Sequence, residues 1–407
     1  MIKKTEGGVC AAAGFSAFGM RCGIRKNKTK KDLALILSDR DAAAAAVYTT
    51  NLVKGAPLTV TKRHLDGNGG TARAAICNSG IANTCCSGGV ETAERICEAA
   101  AKVIGCGADD IIIASTGVIG QPLDPAPIEK GLPALAAGLN ANGSDDAAAG
   151  IMTTDTVKKE IAVEFELGGK TGRMGGIAKG SGMIHPDMAT MLVFITCDAA
   201  ISPEMLKKAL SADVKNTFNM ISVDGDTSTN DMVTVLCNGC AGNAEITGEN
   251  GDYEVFMKAL NTVTVHLCRM IAADGEGATK LLECKVSGAK TGDDAKKVAK
   301  SVVCSSLLKA AMFGADANWG RVLCAAGYSG ADIDVNKIDV SFVSEAGEVA
   351  VCKNGCGIGF SEEHAKKVLS EKEIDIVIAL NDGECDSTAW GCDLTYDYVK
   401  INGDYRT

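Results

Sequence analysis

The segment Lys179–Leu192, KGSGMIHPDMATML, is the densest cluster of unusual residues in the chain. Gly180 and Gly182 permit backbone conformations barred to other residues, and Pro186 biases His185 toward extended geometry. A small Ala189 precedes Thr190, and the apolar run MLVFIT follows. A threonine hydroxyl is a poor nucleophile until a base takes its proton, and nothing in the intact segment guarantees one. From composition alone the segment reads as a loop entering a buried strand. A second stretch, Ala114–Gly120 (ASTGVIG), ends the apolar run IIIAS and reads as a strand-to-turn junction carrying hydroxyls and a glycine N–H. Two cysteine pairs, Cys237/Cys240 and Cys352/Cys356, have spacings that suggest metal. None of the four histidines (His64, His185, His266, His364) lies at ligand spacing to either pair, and no metal is expected.

Helix and strand signals alternate around these segments. In Glu91–Gly105, Ala93, Ile96, Cys97, Ala100 and Ile104 recur at helical spacing before a terminating glycine. Ile111–Ser115 follows as a short buried strand. Ile161–Leu167 and Glu373–Leu380 alternate apolar side chains as half-buried strands do. Ser202-Pro203-Glu204 opens a helix, with serine as N-cap, proline at the first helical position and an acid near the positive end of the dipole. Gly175–Gly182 (GGIAKGSG) is the one obvious interruption. The pattern implies a mixed α/β layered fold, without repeats or low-complexity linkers.

The bulk properties bound the function. At 407 residues the chain calls for two domains or one large layered one. It is 46% hydrophobic, 23% charged and only 4% aromatic, with 47 glycines, which implies tight turns and aliphatic cores. A formal net charge of −10 argues against nucleic acid or an anionic membrane as the main partner. No apolar stretch approaches the roughly 20 residues that span a bilayer, and the N-terminus lacks a signal-like apolar core, so a cytoplasmic enzyme is expected. The 18 cysteines, spread from Cys10 to Cys392, fit reduced thiols used as small hydrophobes.

KGSGMIHPDMATML resembles the self-cleavage segment of the ornithine acetyltransferase family. Further resemblance runs along the whole chain: DLALILSD (32–39), TTNLVKGAP (49–57), NSGIANTC (78–85), SVDGDTSTND (222–231), FGADANWGR (313–321), GYSG (327–330) and WGCDLTYDYVKINGDYRT (390–407). Two departures stand out: Ile81 replaces a second Asn in an NSGNAN-like stretch, and Ala317 replaces the usual Pro. Neither touches the chemistry implied.

By that resemblance the Ala189–Thr190 bond is scissile and Thr190 is the nucleophile, giving an α chain of 1–189 and a β chain of 190–407. The part from about 280 to 407 is expected as a separate lobe. The chemistry suits the residue. Once Thr190 is N-terminal, its own α-amine, with a reference pKa of about 7.7–8.0, can take the hydroxyl proton. Thr116 and Gly117 carry over as the oxyanion hole, a hydroxyl and an N–H that no Cβ obstructs. Thr156, Lys179, Thr190, Glu276, Asn402 and Thr407 carry over as substrate contacts, with Thr154 still open within MTTDT. Lys179 suits a carboxylate and Glu276 an ammonium. The implied fold is an α/β sandwich, helices outside and sheets within, its processed halves held in a heterotetramer of two α and two β chains.

The expected reaction is ping-pong: N-acetylornithine acetylates Thr190, ornithine leaves, and glutamate collects the acetyl group, a step of arginine biosynthesis needing no cofactor. Some family members also use acetyl-CoA. Here no P-loop, glycine-rich phosphate cradle or basic run accompanies the catalytic segments, so acetyl-CoA is expected to be a weak donor or none. The competing readings are a self-processing amidase or aminopeptidase, in which water resolves the acyl-enzyme, and a cysteine-rich metal or redox binding protein.

Overall fold

The computed structural model describes residues 2–185 and 191–403. The chain divides into two compact units, one of residues 1–180, 187–215 and 227–267, the other of 181–186, 216–226 and 268–407. Residues 191–215 thus belong to the first unit although they follow the expected scissile bond.

The first unit is built on a nine-stranded mixed sheet. Its order is Lys3–Thr5, Lys159–Leu167, Lys170–Lys179, Leu192–Cys197, Met232–Cys237, Leu33–Tyr48, Thr71–Ile81 and Ile111–Val118, with Phe15–Met20 paired to Leu33–Tyr48. Side-chain parity shows why it is layered. Leu33, Leu35, Ala74, Ile76, Ile111 and Ile113 enter one core, and Ala34, Ile36, Ala75, Cys77, Ile112 and Ala114 the other. Strands buried on both faces read as unbroken apolar runs, which is why IIIA shows no alternation. The helices Gly89–Ile104 and Ala126–Ala137 cover the first face with Ala93, Ile96, Cys97, Ala100, Ile128 and Leu132, while Ser144–Ile151 covers the second with Ala147, Ala148 and Ile151. Each fully buried isoleucine is worth about 1.5–3 kcal/mol.

Thr71–Ile81, the helix Gly89–Ile104 and Ile111–Val118 form a β–α–β crossover, because parallel neighbours cannot be joined by a hairpin. This places Thr116 and Gly117 at the carboxyl end of a central-layer strand. The expected interruption at Gly175–Gly182 is corrected here: residues 175–179 lie inside the strand Lys170–Lys179. Glycine serves packing there rather than a turn. A Cβ on Gly175 would overlap the Gly8 carbonyl, and Gly176 packs against Ile195, Val263 and Leu267.

The second unit carries a seven-stranded sheet ordered Cys356–Gly357, Gly347–Lys353, Asp339–Ser344, Glu373–Ala379, Leu281–Ala289, Cys385–Cys392 and Ile221–Ser222. The helix Gly292–Cys304 buries Val298, Ala299, Val302 and Val303. Its start is capped by the Thr291 hydroxyl, which accepts the Asp294 N–H at 3.1 Å. No described helix is long and apolar enough to cross a membrane.

Candidate active site

The strand Leu192–Cys197 is flanked on both sides by elements that carry charge at its start. It pairs antiparallel with Lys170–Lys179, setting Lys179 opposite Leu192, and parallel with Met232–Cys237, setting Met232 opposite Leu192. The Met232 N–H donates to the Met191 carbonyl at 2.8 Å, which continues the pairing one residue toward the segment 186–190. Ala189 and Thr190 lie outside the described residues, as does Thr407. The covalent neighbour of Thr190, however, enters the sheet between the ends of the Lys179 and Met232 strands.

Lys179 is 8% exposed and faces two buried carboxyls. The first is Asp155. Its Oδ1 accepts the Lys159 Nζ at 2.7 Å and the Gly180 N–H at 2.7 Å, and its Oδ2 accepts the Thr153 N–H at 2.9 Å. Burial pushes this carboxyl up, but the ammonium groups of Lys179 and Lys159 outweigh it and hold Asp155 well below the usual carboxylate range. One aspartate therefore ties together the TTDT loop, the start of Lys159–Leu167 and the turn after Lys179. Flanking it, Thr154 is half-buried and Thr156 exposed.

The second carboxyl is Asp231, 3% exposed. Burial drives it well above the usual range, against the opposing effects of a hydrogen bond from Ser228 and the charge of Lys179. Its Oδ2 has no hydrogen-bond partner among the described residues.

Thr116 and Gly117 lie on the strand Ile111–Val118, which runs past the expected turn because Gly80 and Gly117 pair in parallel register. Thr116 is 9% exposed. Asn230 connects this strand to Asp231. Its amide donates to the carbonyls of Ala82 at 2.6 Å and Ser115 at 2.9 Å, and its Oδ1 accepts the hydroxyls of Thr84 at 2.5 Å and Thr229 at 2.6 Å. Asn230 and Asp231 fall within the segment SVDGDTSTND, and Asp155 within MTTDT. Type and spacing did not single out these three, because their importance lies in burial.

In the second unit Glu276 and Asn402 come together: the Asn402 amide donates to Glu276 Oε2 at 2.8 Å. Glu276 is 7% exposed, and its N–H donates to the Ser181 carbonyl at 3.0 Å. Gly182 lies against its carboxyl so closely that a Cβ would overlap it. Asp224 accepts the N–H groups of Met183 at 2.6 Å and Ile184 at 2.9 Å, fixing the GMI stretch. Burial and the Asp224 carboxylate, hydrogen-bonded to its hydroxyl, hold the Tyr398 phenol well above its usual range.

Among the described residues, no three His, Cys, Asp or Glu side chains converge as ligands for a metal ion. Burial pushes the Cys77 and Cys97 thiols up to about 12, so they act as apolar core residues rather than thiolates.

The ArgJ family model matches residues 16–407. The chain is 50% identical over 403 residues to the arginine biosynthesis bifunctional protein ArgJ of Symbiobacterium thermophilum, covering 98% of this chain and 99% of that one. It is 46% identical over 407 residues to the protein of the same name from Bacillus subtilis, covering 100% and 98%. Among solved structures, the arginine biosynthesis bifunctional protein of Bacillus halodurans shares 47% identity, covers 52% of this chain and 97% of its own, and gives a TM-score of 0.49.

Proposed function

The chain belongs to the ArgJ family, and we propose that it carries out acetyl transfer through Thr190 after cutting itself at Ala189–Thr190. It is a glutamate N-acetyltransferase of arginine biosynthesis, and the amidase alternative is not favoured. The observation that carries the Thr190 reading is the register around Leu192. Met191, which follows Thr190 in the chain, enters the sheet between the strand ending at Lys179 and the one preceded by Asp231, and Asn230 links the latter to the strand end bearing Thr116.

In the proposed reaction the Thr190 hydroxyl attacks the acetyl carbonyl of N-acetylornithine while the α-amine takes its proton. The Thr116 hydroxyl and Gly117 N–H stabilise the developing oxyanion. The proton passes to the departing ornithine nitrogen. Glutamate then attacks acetyl-Thr190 in the reverse sense and leaves as N-acetylglutamate. Lys179 is assigned the substrate carboxylate, Glu276 with Asn402 the ornithine ammonium, and Thr156 and Thr407 further contacts.

The relatives at 46–50% identity are named bifunctional proteins, and this weighs toward a second activity. Acetyl-CoA as an additional donor is its natural candidate, against the weak or absent use expected from the residues. The processed halves are proposed to assemble as a heterotetramer in the cytoplasm. Supplying glutamate with each donor in turn tests the reading. N-acetylornithine should yield N-acetylglutamate, whereas an amidase would release acetate whether or not glutamate is present.

A further inference from the structure

The run Arg21–Lys31 (RCGIRKNKTKK) carries six cations and no acid in eleven residues, although the chain has a formal net charge of −10 and only 41 lysines and arginines in 407 residues. In sequence it stands far from the catalytic segments. Within the first unit the fold brings it to one of them. The Asp32 carboxylate, 0% exposed, gathers the start of the loop by accepting the N–H groups of Cys22 at 2.6 Å, Gly23 at 3.1 Å and Arg25 at 3.0 Å. The Asp32 carbonyl accepts the Ser79 N–H at 3.0 Å, which fastens the loop to the strand Thr71–Ile81 one residue before Gly80. Arg25 lies over Gly80, where a Cβ would come within 2.8 Å of its Cγ. Gly80 is the parallel partner of Gly117, so the loop is rooted beside the strand end that presents Thr116.

The rest of the loop is shaped by Asn27. Its Oδ1 accepts the N–H groups of Thr29 at 2.8 Å and Lys30 at 3.0 Å and the Thr29 hydroxyl at 2.9 Å, while Arg21 Nε donates to its carbonyl at 3.1 Å. Lys31 pairs with Asp146, and Arg25 donates to the Met152 carbonyl. Arg21, Lys26, Lys28 and Lys30 are exposed and form no ion pair among the described residues. A charge run is ordinarily a solvated face on which opposite signs alternate or pair. Here one sign is gathered on an ordered loop, where the charges repel one another and an anion relieves them. The five residues from Arg25 to Lys30 span at most about 18 Å, which bounds the distance of the lysines from Gly80.

We infer that Arg21, Lys26, Lys28 and Lys30 hold the phosphates of a coenzyme A thioester whose acetyl end reaches Thr116 and Gly117; the inference rests on the reading of acetyl-CoA as an additional donor. N-acetylornithine bears no phosphate, so transfer from it gives these cations no role. Coenzyme A carries a diphosphate and a ribose phosphate at one end of a long flexible arm and its thioester at the other. That division matches a cationic loop set apart from the place where an oxyanion forms. Ammonium and guanidinium groups grip phosphate oxygens through charge-assisted hydrogen bonds, without a glycine-rich cradle.

The test compares three donors with glutamate as acceptor, in the full wild-type enzyme and in a triple variant, Lys26→Gln with Lys28→Gln and Lys30→Gln. The donors are acetyl-CoA, acetyl-pantetheine, which lacks the phosphoadenosine end, and N-acetylornithine. KM for acetyl-CoA should rise about tenfold in the variant, as the loss of three exposed charge contacts implies. KM for the other two donors should stay within about twofold, and the corresponding triple Lys→Arg variant should restore the first. Adenosine 3′,5′-bisphosphate should compete with acetyl-CoA in the wild type and weakly in the glutamine variant, and inorganic phosphate at the same concentration in neither. An unchanged KM for acetyl-CoA, or an equal rise for all three donors, would overturn the inference. So would competition by inorganic phosphate as strong as that by the bisphosphate, which would mark a general anion site. If the wild type makes N-acetylglutamate from N-acetylornithine but not from acetyl-CoA, the reading of the second donor fails, and the phosphate site fails with it.

Discussion

Gly80 and Gly117 face each other across two parallel strands with both backbones at positive φ, +109° and +129°. A Cβ on Gly117 would overlap the Gly80 carbonyl, so the strand end that presents Thr116 keeps its shape only with glycine there. Gly117→Ala should therefore cost about 1–3 kcal/mol of backbone strain and displace the N–H proposed as an oxyanion donor. Turnover should fall by about 10²-fold while the protein stays folded. Steady-state kinetics beside a thermal melt would check both, and a fully active Ala variant would remove Gly117 from the oxyanion hole.

Removing the Thr116 hydroxyl should slow acetylation by about 10²–10³-fold. KM should change little, since the oxygen bears its full charge only in the transition state. A large KM rise at unchanged kcat would make Thr116 a substrate contact instead.

Asp155 is the counter-ion of Lys159, and both side chains are 0% exposed. Replacing it with Asn removes the carboxylate that balances a buried ammonium, at a cost of about 3–5 kcal/mol. It also frees the Gly180 turn that follows Lys179, so KM for N-acetylornithine should rise. Urea unfolding read together with KM checks the prediction. An Asn variant of unaltered stability would show that the pair is not the constraint.

The two carboxyls beside Lys179 make opposite contributions to stability. Asp155 is depressed on folding, so its contribution is present above the ordinary carboxylate range and is lost only as pH falls below it. Asp231 is raised, so between the unfolded and folded values the folded chain holds a proton that the unfolded chain has released. Stability from this group falls as pH rises through that window. Asp231→Asn, which fixes the neutral form, should melt above wild type at pH 8 and close to it near pH 4. Equal melting temperatures at both pH values would contradict the buried, proton-bearing state.

Much of this was legible in the residues. The helical spacing after Glu91 predicts a helix that the structure runs from Gly89 to Ile104, stopped by Gly105 at φ +77°. Ser202 caps its helix by accepting the Met205 N–H, as the Ser-Pro-Glu order implies. The difficulties arose at glycine. STG reads locally as a turn, and GGIAKGSG as an interruption, yet STG and GGIAK lie in strands, where at Gly117 and Gly175 a neighbouring backbone occupies the space a Cβ would take. Asp155, Asn230 and Asp231 were illegible as site residues for another reason. A carboxylate's role between two lysines, or the burial that leaves one of its oxygens without a hydrogen bond among the described residues, is decided by residues distant in the chain.

The most direct test of the central claim is intact-mass spectrometry of the enzyme mixed with N-acetylornithine in the absence of glutamate. A chain beginning at Thr190 should gain one acetyl group, fragmentation should place it on Thr190, and added glutamate should discharge it as N-acetylglutamate. Acetyl transfer at the normal rate by an uncut chain, or by a cut chain that never carries the acetyl group, would contradict the account.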